Sequence, residues 1–124
     1  MQRAMRILST ALLLSVAVAA TALAQGQSAP FTLSDSGRGY ATLSDALNAI
    51  GDGQGTIIVA PGTYRQCAVQ QAGVVTIRAA KPGTAIFDGV PCEGKGALVA
   101  RGRATTVDGI VFQNIRVPDG NGAG

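Results

Sequence analysis

From Gly55 to Val117 glycine and proline cut the chain into β-prone runs too short to be helices. Gly55-Thr-Ile-Ile-Val-Ala-Pro-Gly-Thr-Tyr64 is one such run and Val74-Val-Thr-Ile-Arg78 is another. Further stretches of the same kind are Cys67 to Val69, Ala85 to Asp88, Ala97 to Arg101 and Val107 to Val117. Valine, isoleucine and threonine suit a pleated backbone, while glycine supplies the turns between them. All 17 glycines fall after residue 24, so this part of the chain bends often. The tripeptides Pro61-Gly62-Thr63 and Pro82-Gly83-Thr84 lie 21 residues apart, and a third run turns at Gly102. Recurrence at such an interval predicts an all-β solenoid built from several short strands per repeat. A small β-sandwich is the competing arrangement, since short strands with regular turns also build those. It is disfavoured because no Asn-Gly or Asp-Gly hairpin signal separates strictly alternating runs.

One segment has a different period. In Ala41-Thr-Leu-Ser-Asp-Ala-Leu-Asn-Ala-Ile50, Leu43, Ala46, Leu47 and Ile50 share one face of a helix. Thr42 is the expected N-cap, with Asp45 in the first turn, and Gly51 ends the helix. A face this narrow must lie against a wider surface.

The N-terminus is unlike the rest. Residues 1–24 carry Arg3 and Arg6, no acid, an apolar run from Ile7 to Ala20 and the small-residue triplet Ala22-Leu23-Ala24. This is the organisation of a secretory signal peptide cleaved after Ala24. A membrane anchor is the alternative, because Ile7 to Ala24 just reaches spanning length, but no basic stop-transfer cluster follows. Cleavage implies a secreted or periplasmic protein with no membrane attachment. It also removes two of the ten basic residues and none of the seven acidic ones. The remaining chain is close to neutral, which argues against nucleic acid as a partner. Residues 25–37 read as a flexible leader, and 38–124 as the ordered part.

An oxidising compartment gives meaning to the two cysteines. Cys67 and Cys92 are the only pair, and a disulfide between them is expected. A reactive thiol pair is the poorer reading, since the sequence has neither Cys-x-x-Cys spacing nor a histidine to lower a thiol pKa. The lack of histidine also excludes Ser-His and Cys-His catalysis.

The order of these pieces resembles the start of a secreted right-handed parallel β-helix of the pectin-lyase-like class. The likeness rests on the helix 41–50, the segment Val-Ala-Pro-Gly-Thr-Tyr64, then Val-Thr-Ile-Arg78, Ile86-Phe-Asp-Gly89, Leu98-Val-Ala-Arg-Gly102 and Thr106-Val-Asp-Gly-Ile-Val-Phe-Gln-Asn114. It implies an N-terminal capping helix, first coils running through 38–124 and a fold left incomplete at its C-terminus. It also implies that Tyr64, Phe87 and Phe112 sit in or beside a stacked interior, and that the disulfide staples two coils. By the same resemblance the chain is the non-catalytic N-terminal portion of a polysaccharide-binding or polysaccharide-degrading protein. A structural or cell-surface role without catalysis is the alternative.

No residue is expected to be catalytic, cofactor-binding or metal-binding, and no cofactor is implied. Three groupings still bear on chemistry. Asp88 and Asp108, 20 residues apart, could stack as a calcium pair, but each precedes glycine and reads better as a turn residue. Arg78, Arg101 and Arg103 could line a face for an acidic sugar, against the plainer reading of solvated strand positions. Asn114 suits a corner where its side chain bonds to backbone. The glycine-rich end, Gly120 to Gly124, lacks the Lys-Ser/Thr of a phosphate loop.

Overall fold

The strands that glycine separates in sequence come together as neighbours in space. The computed structural model, which describes residues 29–118 and 120, contains ten strands and one helix among those residues. The strands are β1 (Phe31–Leu33), β2 (Gly39–Tyr40), β3 (Gln54–Val59), β4 (Gly62–Tyr64), β5 (Ala68–Gln70), β6 (Val74–Ala79), β7 (Ala85–Asp88), β8 (Leu98–Ala100), β9 (Ala104–Asp108) and β10 (Ile110–Gln113). They form a five-stranded sheet in the order β2-β1-β3-β6-β9, a three-stranded sheet β10-β7-β4 and a pair β5-β8. The pairs β3/β6, β6/β9, β4/β7, β7/β10 and β5/β8 are parallel, whereas β1 runs antiparallel to both β2 and β3.

This corrects the expected fold class. The expectation was an all-β solenoid, a right-handed parallel β-helix, but the structure is a small assembly of one mixed sheet and two lesser parallel ones. Its steps are uneven: Thr56 pairs with Thr76 but Thr76 with Thr106, while Gly62 pairs with Ala85 and Ala85 with Ile110. The tripeptide that suggested a constant period is not in equivalent places. Gly62 opens β4, whereas Gly83 lies in the turn before β7. The leader boundary also moves. Phe31, placed by sequence in a flexible leader, is the first residue of β1 and has no exposed surface. The proposed signal peptide and most of the glycine-rich end lie outside the described residues.

The helix α1 (Leu43–Ile50) forms as its pattern requires. The Thr42 hydroxyl accepts a hydrogen bond from the Asp45 amide at 3.0 Å, and the Gly51 amide closes the last turn on Leu47 O at 2.9 Å. Leu43, Ala46 and Leu47 are buried, and α1 packs on β1, β2, β3 and β5. One contact was not foreseen: Gln66 accepts a bond from the Leu43 amide at 2.8 Å, satisfying one of the helix's first free N–H groups.

The core lies between the sheets. Ile57, Val59, Val75, Ile77, Ala79, Ala85 and Phe87 point inward from alternating strand positions. An aromatic row runs through it, with ring centroids 5.0 Å apart for Phe31 and Tyr64, 5.5 Å for Tyr64 and Phe87, and 5.8 Å for Phe87 and Phe112. Among the described residues Gln70 is the buried polar side chain, 1% exposed. Its amide nitrogen lies 3.1 Å from the carbonyls of Ala72, Gly73 and Ala104, and its oxygen accepts from the Thr105 hydroxyl. Gly73 sits where only glycine fits: φ is +82°, and an added Cβ would lie 2.5 Å from Gly51 O and 2.8 Å from Gly53 O. Cys67 and Cys92 are joined as a disulfide, with Cα atoms 5.5 Å apart. The link ties the residue before β5 to the loop before β8, its pairing partner.

Candidate functional site

The outer face of the five-stranded sheet carries the site. Strand alternation turns Ile57, Val75 and Ile77 into the core and so turns Gln54, Thr56, Val74 and Thr76 outward. Register places Gln54 beside Val74, and sets Thr56, Thr76 and Thr106 in one row across three strands.

A turn closes one side of this surface. Between β1 and β2 the chain reverses through Ser34 to Gly37, with the Gly37 amide bonded to Leu33 O at 2.9 Å and Gly37 at φ +76°. The Ser34 amide donates to Thr56 O at 3.0 Å, which holds the turn against β3. Asp35 therefore stands beside Gln54, Gly55, Thr56, Val74 and Thr76, and together they line a groove of about 340 Å³. A second hollow of about 220 Å³ shares Asp35, Gln54, Gly55 and Thr56 and extends toward Ile50 of α1. Among the described residues Asp35 makes no ion pair, whereas Asp52, Asp88, Glu93 and Asp108 each do.

The groupings read from sequence are not brought together as expected. Asp88 ends β7 in the three-stranded sheet and Asp108 ends β9 in the five-stranded one, so they do not form a calcium pair. Both precede a glycine of positive φ, as turn residues do. Asn114 bonds to a side chain rather than to backbone: its amide donates to Asp88 at 2.8 Å. That bond is the main cause holding the Asp88 carboxyl below the usual range, with Gln113 and Arg65 adding to it against the cost of desolvation.

The three arginines do not share a face either. Arg78 lies 3.6 Å from Asp108, Arg103 lies 2.7 Å from Asp52, and Arg101 grips Glu93 through both guanidinium nitrogens. The Arg101 bonds hold the Glu93 carboxyl below its ordinary range. Each arginine is thus charge-compensated.

Sequence reading missed the groove because its key residue, Asp35, fell within the supposed leader. The available signal was Phe31-Thr-Leu33 followed by Ser-Asp-Ser-Gly37, a strand and a tight turn. Among the described residues no three His, Cys, Asp or Glu side chains gather to hold a metal ion, and no helix is long and apolar enough to cross a membrane. The chain matches no protein-family model, no curated protein and no solved structure.

Proposed function

We propose that the chain is an exported, secreted or periplasmic, non-catalytic polysaccharide-binding portion of a protein acting on glycans, and that the groove over β3 and β6 is its binding surface. The observation that carries the reading is the groove itself. It offers the Asp35 carboxylate, the Gln54 amide and the Thr56 and Thr76 hydroxyls along one open trough. Such groups exchange hydrogen bonds with sugar hydroxyls in both directions. Glycoside hydrolysis by the usual route needs two carboxyl groups flanking the bond, and this groove is lined by one. A disulfide between Cys67 and Cys92 supports an oxidising location.

Affinity electrophoresis through gels containing soluble glycans tests the proposal. The chain should be retarded and should release no reducing sugar; free migration in every glycan, or turnover of any, would overturn it.

A second reading, a structural or surface-interaction role, is favoured by a separate observation. Each of β8, β9 and β10 has one strand neighbour among the described residues, leaving its other edge open to pairing.

A further inference from the structure

We infer that the groove selects uncharged, polyhydroxyl glycans and discriminates against polyuronates. This rests on the polysaccharide-binding reading and specifies the substrate class. Asp35 is the charged group lining the trough, and among the described residues no cation pairs with it. An anionic sugar entering would meet a like charge at short range.

The nearby cations do not offset it. Arg78, two positions beyond Thr76 on the same outward row of β6, is held by Asp108 at 3.6 Å. Arg103, before β9, is held by Asp52 at 2.7 Å. Arg38, on the far side of the β1–β2 turn, lies over the Tyr40 ring at 5.8 Å from its centroid. Polyuronate recognition calls for guanidinium or ammonium groups free to take carboxylates, and the groove is lined by none.

The neutral groups suit the other class. Thr56 and Thr76 lie side by side on paired strands, and Thr106 continues their row onto β9. Neighbouring strands are about 4.8 Å apart, so a glycan lying across them meets one hydroxyl per strand. Gln54 supplies a donor and an acceptor at one end, and Asp35 a strong acceptor for sugar hydroxyls.

The test compares mixed-linkage β-glucan with polygalacturonate, at low and high salt, for the full chain and for Asp35→Asn and Thr76→Val. Both changed side chains face outward, and circular dichroism checks that the variants fold. The β-glucan should bind with little salt dependence and polygalacturonate should not. Thr76→Val should weaken β-glucan binding about fivefold, one hydrogen bond's worth. Asp35→Asn should weaken it by a similar factor while easing the exclusion of polygalacturonate at low salt. Preferential, salt-sensitive binding of polygalacturonate would overturn this inference and leave polysaccharide binding standing. Binding of neither glycan would overturn this inference, and free migration through every other glycan as well would remove the polysaccharide-binding reading with it. Unchanged β-glucan binding by folded Thr76→Val would place any binding outside the groove and overturn the inference.

Discussion

The two ends of the stacked strands are finished in different ways. At one end α1 lies over β5 and β3, and the antiparallel pair β1/β2 covers the flank of β3. The edges there are two or three residues long. At the other end β8, β9 and β10 present open edges of three, five and four residues, and Val107 is 41% exposed. The same inward-facing alternation thus gives full burial at Phe31 and only partial burial at Phe112. Burial here is decided by whether a further layer lies over the residue, and not by the residue's own apolarity.

Substitution at matched aromatic positions gives the largest test of that contrast. Phe31→Ala removes a fully buried ring that packs on Tyr64 and Phe87 and should cost about 4 kcal/mol. Phe112→Ala, at the open end, should cost about half as much, since part of its ring already meets water. Chemical denaturation of both variants measures the difference, and equal losses would show that the two ends are equally packed.

Reduction of the disulfide comes next. The Cys67–Cys92 link closes a loop of sequence separation 25 and joins the closed-end strand β5 to the loop that leads into β8. Its loss should lower stability by about 3 kcal/mol in the chain-entropy model. The greatest gain in amide exchange should fall in residues 92–100. Exchange that rises uniformly along the chain would show that the link constrains no particular end.

The closed end was partly legible in the sequence. Helix α1, its Thr42 cap and its stop at Gly51 follow from a 3.6-residue period and local capping chemistry, which depend on nothing distant. The β runs after Gly55 were legible for the same reason, but not their bounds: Gly55 to Tyr64 divides into β3 and β4, and Val107 to Val117 into the end of β9 and β10. Register was not, because Thr76 meets Thr56 after 20 residues and Thr106 after 30. The longer step contains the Cys92–Gly96 loop, whose length no local signal sets. The antiparallel β1 and β2 were hidden by their brevity, and with them went Asp35 and the groove. Gln70 carried no local signal of its place in the fold. Its buried side chain is satisfied by the Gly73 carbonyl before β6, the Ala104 carbonyl that opens β9 and the Thr105 hydroxyl.

Alkaline pH probes the closed end through Tyr64, which packs on Phe31. Burial raises its pKa above the ordinary value near 10, and its hydroxyl donates to Ala60 O at 2.5 Å. The fold therefore favours the neutral phenol. Its contribution is full below the ordinary pKa and is lost as pH rises through the raised one. Tyr64→Phe should cost about 1 kcal/mol at neutral pH, from the lost hydrogen bond. It should also flatten the fall in stability above pH ~10. An unchanged alkaline slope in Tyr64→Phe would assign that fall to other groups.

The smallest expected effect on stability is also the sharpest test of the open end. Val107 faces the core side of β9 but has no strand over it, so Val107→Lys should change monomer stability by less than about 0.5 kcal/mol. Its effect should appear in association instead. An unpaired five-residue edge with an exposed valine invites pairing with a second copy, and an inward-pointing lysine is a charge that would be desolvated by it. Sedimentation should show the mass of the unaltered chain rising with concentration and that of Val107→Lys staying monomeric. If the unaltered chain also stays monomeric, Arg103 just before β9 and Asp108 at its end suffice to blunt the edge. The contrast between the two ends would then be one of burial alone.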